Sequence, residues 1–537
     1  MIIDNFYTEF DKSHFYMGMV SQVYRDSSII QVENLSWLEY RKTKLETLVP
    51  NTINFLVLVD SPQGLFIGEI YQSRVSNSDS VHNSMNNGIN EKVYPEIGID
   101  VVGLMEQGED RFKLPGFKTV GITDKVYIAN KKTIRQYLNS LELQKELNEK
   151  VLSSFATFSN LENHEVNLYP STLFDRHLLT VGTTNSGKST SALSIIDKLL
   201  LDQKKVMIVD PTGEYSESFN DHEVIKLKLG TDTAISVGDL SMQQWCLLFE
   251  TNDATQPAVL SDAIRSLRYQ KKNMSSGIYE KVNKSVSDVA SDMASLLPAD
   301  KDFIIDDLPQ QIASETNQVS NKEVYVKNIF QFNSQQWLVQ KVQNKLENTS
   351  FRNFFNNEED LNELMDKLDQ FITTPNQSIY IDTSQIGTND GIGGMIIDLA
   401  SNYIINKDRK VIEPFVMFID EVHRYTKILG RESDYYTGLT TIAREGRKKG
   451  IFLFLTTQNP QDVSAILLGQ VGTFLVHRLT HMEELRSLQN HLSTNNLKQV
   501  KNLNKGEAIL TSINLLQDIH LKIKKSKRLH SNSTPSL

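Results

Sequence analysis

The sequence holds a single cysteine, Cys246, among 537 residues. One thiol cannot close a disulfide within the chain, nor build a thiolate metal cluster. Such sparing use suits a reducing compartment. Tryptophan is almost as scarce, and Trp37, Trp245 and Trp337 stand too far apart to form a base-stacking platform visible in sequence. Long apolar runs are missing too. Stretches such as Phe415 to Ile419 and Ile451 to Leu455 fall far short of the roughly 18 to 20 residues that span a bilayer. The opening residues, Met-Ile-Ile-Asp-Asn-Phe-Tyr-Thr-Glu-Phe-Asp, are acidic and lack the basic and apolar regions of a signal peptide. A cytoplasmic protein with no membrane partner is expected. The last absence is a basic excess. Lys plus Arg number 56 against 66 Asp plus Glu, a formal net charge of −10. A surface that coats nucleic acid is normally basic, so a globally basic binder is excluded. A local basic channel inside an acidic shell is not.

What is present describes an ordinary folded chain, with 39% hydrophobic and 23% charged residues. At roughly 150 residues per domain the length predicts about three or four folding units. Residues 1–125 read as short strands, among them Ile29–Val32, Phe55–Val59 and Leu65–Ile70, punctuated by Ser61-Pro62-Gln63-Gly64. This predicts a small β-barrel, with the Ser, Asn and Gly run at Ser76–Asn90 as a solvated loop. Over 126–160 the period turns helical, with Ile134, Leu138, Leu141, Leu143 and Leu147 on one face from Lys131 to Phe158, so a helical linker is expected. The texture then becomes α/β. Near-continuous apolar runs at Leu178–Val181, Val206–Val209, Ile379–Ile381, Phe415–Ile419 and Ile451–Leu455 read as buried parallel strands. The expected core occupies 161–239 and 376–521, interrupted by an inserted helical subdomain at 240–375. A basic tail at 522–537 ends Ser-Asn-Ser-Thr-Pro-Ser-Leu, an ending expected to be mobile.

The strongest local signal is Gly182-Thr183-Thr184-Asn185-Ser186-Gly187-Lys188-Ser189, which fits the pattern G-x-x-x-x-G-K-[ST]. It lies between a strand-like run and an apolar-periodic helix, where a phosphate-binding P-loop must lie. Its glycines let backbone N–H groups turn toward phosphate oxygens, and the helix N-terminus adds the positive end of a dipole. Lys188 would reach the β and γ phosphates and Ser189 would ligate Mg²⁺; Thr190 completes the nucleotide-binding set. Asn185 adopts positive φ nearly as well as glycine.

Phe415-Val416-Met417-Phe418-Ile419 ends in Asp420 and Glu421. An apolar strand closed by two carboxylates suits a Walker B element, with Asp420 on Mg²⁺ and Glu421 polarising the attacking water. Taken alone it would be a strand capped by an exposed acidic pair; beside a P-loop the hydrolytic reading wins. Gln458 ends the following strand, where RecA-like ATPases can place a sensor of the γ phosphate. Arg447, in Ala443-Arg444-Glu445-Gly446-Arg447-Lys448-Lys449, admits two readings. It could neutralise transition-state charge in a neighbouring subunit, or it could be a solvated cation at a helix C-terminus. The residues alone leave both open. The 11 histidines show no zinc-ligand spacing, and His423 reads as structural or coupling rather than catalytic. Arg265 to Lys272 reads as a solvated helical face.

In order along the chain, Asp175-Arg176-His177, the P-loop, Asp210-Pro211-Thr212-Gly213-Glu214-Tyr215, Asp420-Glu421-Val422-His423, Ala443–Lys448, Thr457-Gln458-Asn459-Pro460, Arg478-Leu479-Thr480-His481 and Lys505-Gly506-Glu507-Ala508 resemble the HerA family of hexameric ATPases, within the HerA/FtsK group of DNA-pumping motors. The resemblance covers about Glu162 to Ile523. It implies an α/β fold with a RecA-like P-loop ATPase core, capped by a small HAS-barrel-like N-terminal β-barrel. It implies ATP and Mg²⁺ as cofactors, a homohexameric ring and double-stranded DNA in the central channel. Arg176 would contribute to the nucleotide site and Arg447 would act in trans. HerA-like proteins work with nucleases, and in bacterial antiviral systems with sirtuin-like NADases, so an effector docked on the barrel is expected. Two positions depart from the family: Thr212 stands where it usually has His, and Asn185 where it usually has Gly. The expected function is an ATP-driven DNA translocase or helicase. The alternative is an ATP-gated hexameric scaffold that regulates an effector without obligate pumping. A secretion or conjugation ATPase is disfavoured by the lack of a membrane segment.

Overall fold

The structure is a computed structural model. It describes residues 2–530 apart from 25–26, 34, 39–40, 43–46, 49–52, 76–93, 144–148, 160, 162–163, 253–254, 353, 356–361, 386–391, 409 and 427–437. The Asn/Ser loop at 76–90 and the final stretch 531–537 therefore lie outside the described residues. By contact the chain forms two compact units, Met1–Leu173 with Thr473–Lys524, and Phe174–Gly472 with Lys525–Leu537. Among the described residues no helix is long and apolar enough to cross a membrane.

In the first unit, β1 (Tyr16–Val23), β2 (Ser28–Val32), β3 (Leu56–Ser61), β4 (Gly64–Arg74), β5 (Glu96–Met105) and β6 (Lys125–Ile128) close a barrel in the order β1-β2-β5-β4-β3-β6. Every pairing is antiparallel. Closure leaves no free sheet edge. Ser61 pairs with Gly64, so Pro62-Gln63 is the hairpin loop, as the turn signal predicts. Gly64 sits at φ +140°, where an added Cβ would fall 2.6 Å from the Met105 carbonyl oxygen. The expected small N-terminal β-barrel is present.

Two expectations for this unit are corrected. The helix read over 131–158 is α1 (Lys131–Ser140), started by Asn130, whose side chain accepts from the Thr133 N–H. Farther on, Ala156–Phe158 is a strand, paired antiparallel with Leu521–Ile523. Leu143 and Leu147 kept the helical spacing, but spacing does not say where backbone pairing takes over. The second correction concerns 473–521, read as the end of the α/β core. Thr473–Val476, Glu507–Ser512 and Ile519–Ile523 instead form an antiparallel meander within the barrel's unit.

The second unit is built on six strands: β7 (Leu178–Val181), β8 (Lys205–Asp210), β9 (Val224–Lys228), β10 (Ser378–Asp382), β11 (Phe415–Ile419) and β12 (Ile451–Thr457). Their order is β7-β12-β11-β8-β10-β9, and all neighbouring pairs are parallel. Nearly every residue of β7, β8, β10, β11 and β12 is buried, which explains their unbroken apolar sequence. The P-loop strand β7 and the acidic strand β11 are separated by β12. This interposed strand defines the RecA-like arrangement, and it sets Gln458 between the loop and the carboxylates. Helix α2 (Lys188–Leu201) follows the P-loop and buries Ala192, Leu193, Ile195, Ile196 and Leu199. Between β9 and β10 the helices Met242–Leu248, Gln256–Lys272, Val286–Ala294, Leu308–Ser314, Ile329–Glu347 and Leu364–Thr373 dominate. Their core centres on Trp245, fully buried and stacked on Phe249 and Phe355, each with ring centroids 5.5 Å away. Trp245 is thus a packing residue. Helix α3 (Gly438–Lys449) leads into β12.

Candidate nucleotide-binding and hydrolysis site

In a parallel sheet all strands deliver their carboxyl ends to one edge, and ligands bind outside that edge. Here it receives the P-loop from β7, Gln458 after β12, Asp420 and Glu421 after β11, and Asp210 from β8.

The loop takes its shape from two left-handed residues, Asn185 at φ +65° and Gly187 at φ +115°. Asparagine therefore serves where the family usually has glycine. Gly187 is also the N-cap of α2, so Lys188 and Ser189 fall in the first turn, at the positive end of the helix dipole. Lys188 is buried, and its Nζ is ion-paired with Glu421 Oε1. The Ser186 hydroxyl is buried with no hydrogen-bond partner among the described residues. A phosphate oxygen would satisfy it, so the loop fits such a ligand.

Asp420 is 2% exposed. Burial raises its pKa to about 6, and the neighbouring negative charges of Glu421 and Asp210 add to the rise; Lys188 and the hydrogen bond from Thr456 oppose it. Thr456, which sequence reading overlooked, is the hinge of this corner. Its hydroxyl donates to Asp420 Oδ1 and accepts the Glu421 N–H at 2.9 Å. Glu421 itself stands at φ +45°. Burial pushes its carboxyl up, but His423, Lys188 and Gln458 outweigh this and hold it down at about 2. Gln458 Nε2 donates to Glu421 Oε1 at 2.7 Å, and its Oε1 accepts the Thr184 hydroxyl at 2.9 Å. One amide thus bridges the P-loop and the acidic pair.

Asp210 explains the Asp210–Tyr215 turn. Its carboxylate, fully buried, accepts from Thr212 N and Oγ1, Gly213 N, Tyr215 N and the Tyr380 hydroxyl, all at 2.8–2.9 Å. Thr212 takes part through its hydroxyl, so the turn is complete without the histidine usual in the family. The motif was legible as a match, but its role required the fold.

Arg176 and Arg447 are not brought to this edge. Arg176 precedes β7 and Arg447 precedes β12, so both lie at the amino edge of the sheet, about 20 Å of strand away from the loop at 3.3 Å per residue. Both are exposed. Arg447 Nη2 lies 3.6 Å from Asp175 Oδ2. Between them His177 is buried: its Nε2 donates to the Ala443 carbonyl and its Nδ1 accepts the Leu453 N–H, both at 2.9 Å. Burial depresses its pKa to about 4, aided by the Arg447 charge and opposed by the Ala443 bond. A neutral imidazole therefore ties α3 and β12 to the chain entering β7.

Residues 157–406 match the family described as "Helicase HerA, central domain". The chain is 23% identical over 360 residues to the probable helicase MJ1565 of Methanocaldococcus jannaschii, covering 65% of this chain and 62% of that one. It is 24% identical over 381 residues to the probable helicase MJECL08 of the same organism, covering 67% and 68%. The first of these relatives is thus matched over less than two thirds of its length. Among solved structures, the bacterial conjugative coupling protein TrwBdeltaN70 is similar at a TM-score of 0.47 and 12% identity, over 76% of this chain and 94% of that one. The motif order, the interposed strand of the sheet and the family match agree: the chain is a P-loop ATPase whose residues 157–406 are similar to the central domain of HerA helicases.

Proposed function

We propose that the chain hydrolyses ATP and uses the energy to move double-stranded DNA through a homohexameric ring. The observation that carries this reading is the convergence of Lys188, Gln458, Asp420 and Glu421 on the edge where the P-loop opens. Gly182 to Thr190 would wrap the phosphates, with Lys188 leaving Glu421 for the β and γ oxygens. Ser189 and Asp420 would hold Mg²⁺, which when bound neutralises phosphate charge. Glu421, ionised at neutral pH, would polarise the attacking water, and Gln458 would register the γ phosphate.

Arg447 and Arg176 lie on the opposite edge from the loop of their own chain, which supports action on a neighbour's nucleotide. A surface that donates to one neighbour and receives from another closes into a ring when the rotation allows. Six subunits follow from the family resemblance. DNA would then meet only the inner channel, consistent with a net charge of −10, through salt-sensitive phosphate contacts. A nuclease or sirtuin-like NADase docked on the barrel would supply effector chemistry, in DNA processing or antiviral defence.

The test is ATP turnover by the full chain, with and without duplex DNA. Duplex is expected to stimulate turnover, and Glu421→Gln to reduce it by about 10²-fold or more while nucleotide still binds. Turnover that ignores both DNA and the Glu421→Gln exchange would overturn the proposal.

A further inference from the structure

Tyr215 closes the turn that Asp210 organises, and its side chain is fully buried. Its backbone N–H donates to Asp210 Oδ2 at 2.9 Å. The ring meets Phe418 of β11 edge-on, with centroids 5.9 Å apart, and His530 lies against it at 5.3 Å between centroids. These contacts fix the ring. A phenol oxygen lies on the ring axis, where no side-chain torsion beyond the ring can move it, so the oxygen is fixed as well.

The hydroxyl faces Ser189 and stands in the field of Asp420 and Asp210. It nevertheless has no hydrogen-bond partner among the described residues. Its surroundings explain why. The Asp210 carboxylate already accepts from Thr212, Gly213, Tyr215 N and the Tyr380 hydroxyl, which fills the roughly four lone-pair positions a carboxylate offers. Asp420 Oδ1 is taken by the Thr456 hydroxyl. A buried hydroxyl left unpaired is costly, and folded chains keep few of them. One that stands beside the two side chains placed for an ion points to a partner that arrives with the ion.

Mg²⁺ bound by one or two carboxylates and phosphate oxygens keeps several of its waters. The oxygen of such a water is committed to the ion, and its hydrogens need acceptors. A phenol oxygen is one. Resting on the reading that Ser189 and Asp420 hold Mg²⁺, we propose that Tyr215 is a positioning residue of that site: its hydroxyl accepts a hydrogen from a water of the ion and so favours nucleotide with Mg²⁺ over nucleotide alone. It acts on the water around the ion and not on the reacting atoms.

The experiment measures the affinity of the full chain for the non-hydrolysable ATP analogue AMPPNP, in Mg²⁺ and in EDTA, for wild type and Tyr215→Phe. The ratio of the two affinities is the gain due to the ion, and no turnover enters it. Loss of a hydrogen-bond partner just outside a metal's ligands costs about 10- to 100-fold in metal affinity. Tyr215→Phe should accordingly lower the gain by about tenfold, with affinity in EDTA within about twofold of wild type. Thermal unfolding without nucleotide is the second readout. The exchange removes only an unpaired oxygen, so Tm should equal or exceed that of wild type. A loss of affinity that is equal in Mg²⁺ and in EDTA overturns the proposal, and so does a lowered Tm without nucleotide, the mark of a packing role. A wild-type chain that binds AMPPNP equally in Mg²⁺ and in EDTA overturns the metal reading and this proposal with it; a gain that wild type and Tyr215→Phe share overturns this proposal alone.

Discussion

At the residue scale, the site is organised by side chains that hold one another where nucleotide would otherwise sit. Lys188 and Glu421, two opposite charges at 5% and 8% side-chain exposure, satisfy each other. Such a buried pair is costly to break one-sidedly, because the remaining charge stays uncompensated. Glu421→Gln is the milder exchange, since its amide keeps the shape and Lys188 still has an oxygen to face. His177 supplies a prediction of a different kind. Its pKa is depressed from 6.5 to about 4 by burial, so between those values the unfolded chain binds a proton that the folded chain refuses. Stability from this group is therefore intact above pH 6.5 and is lost as pH falls toward 4, by about 3 kcal/mol in all. Urea unfolding of wild type and His177→Leu checks this. The variant should be weaker at pH 7, because Leu453 N loses its acceptor, and the gap should narrow on acidification to pH 4. A gap that stays constant would show that His177 does not titrate as its burial demands.

At the element scale, the last described stretch of the chain is a strap fastened to the second unit. Arg528 makes a two-pronged pair with Glu223 at 2.8 and 2.9 Å and reaches Asp197, on α2, at 2.6 Å. Its guanidinium lies 5.3 Å from the Phe219 ring centroid. Its side chain is only 12% exposed. Arg528→Ala would take the guanidinium from Glu223 and leave Asp197 with Lys198 at 3.0 Å, and should cost about 2 kcal/mol, below the range for fully buried pairs. Arg528→Lys should recover only part of it, because an ammonium cannot reproduce the fork. Thermal unfolding of the three chains gives the order. The strap also shows where sequence reading stops. The P-loop, the acidic strand end and Gln458 were legible because each is a local pattern beside a buried strand. Arg528 with Glu223, Thr456 with Asp420, and His177 with Ala443 join residues far apart in sequence, and no local period encodes them. The strand at Ala156–Phe158 escaped for the same reason: its partners are Leu521–Ile523, more than three hundred and sixty residues away.

At the scale of the whole molecule, the sheet separates what binds phosphate from what would neutralise it. The loop and carboxylates occupy the carboxyl edge of the strands, while Arg176 and Arg447 occupy the amino edge. On the proposed reading, a chain alone would hold an arginine that it cannot use and a site that lacks one. The acidic balance fits an assembly that confines its basic contacts to an enclosed channel, and such an assembly would also join the two edges of neighbouring copies. The most direct test mixes two inactive chains. Arg447→Ala keeps an intact P-loop and Glu421 but offers no arginine; Glu421→Gln offers the arginine but cannot activate water. Each alone should bind nucleotide and turn over ATP at least about tenfold more slowly than wild type, on the scale of lost transition-state contacts. Co-assembled, they should regain turnover at the interfaces where Arg447 of one chain faces the intact site of the other. A mixture as inert as its parts, or an Arg447→Ala chain as fast as wild type, would contradict the account.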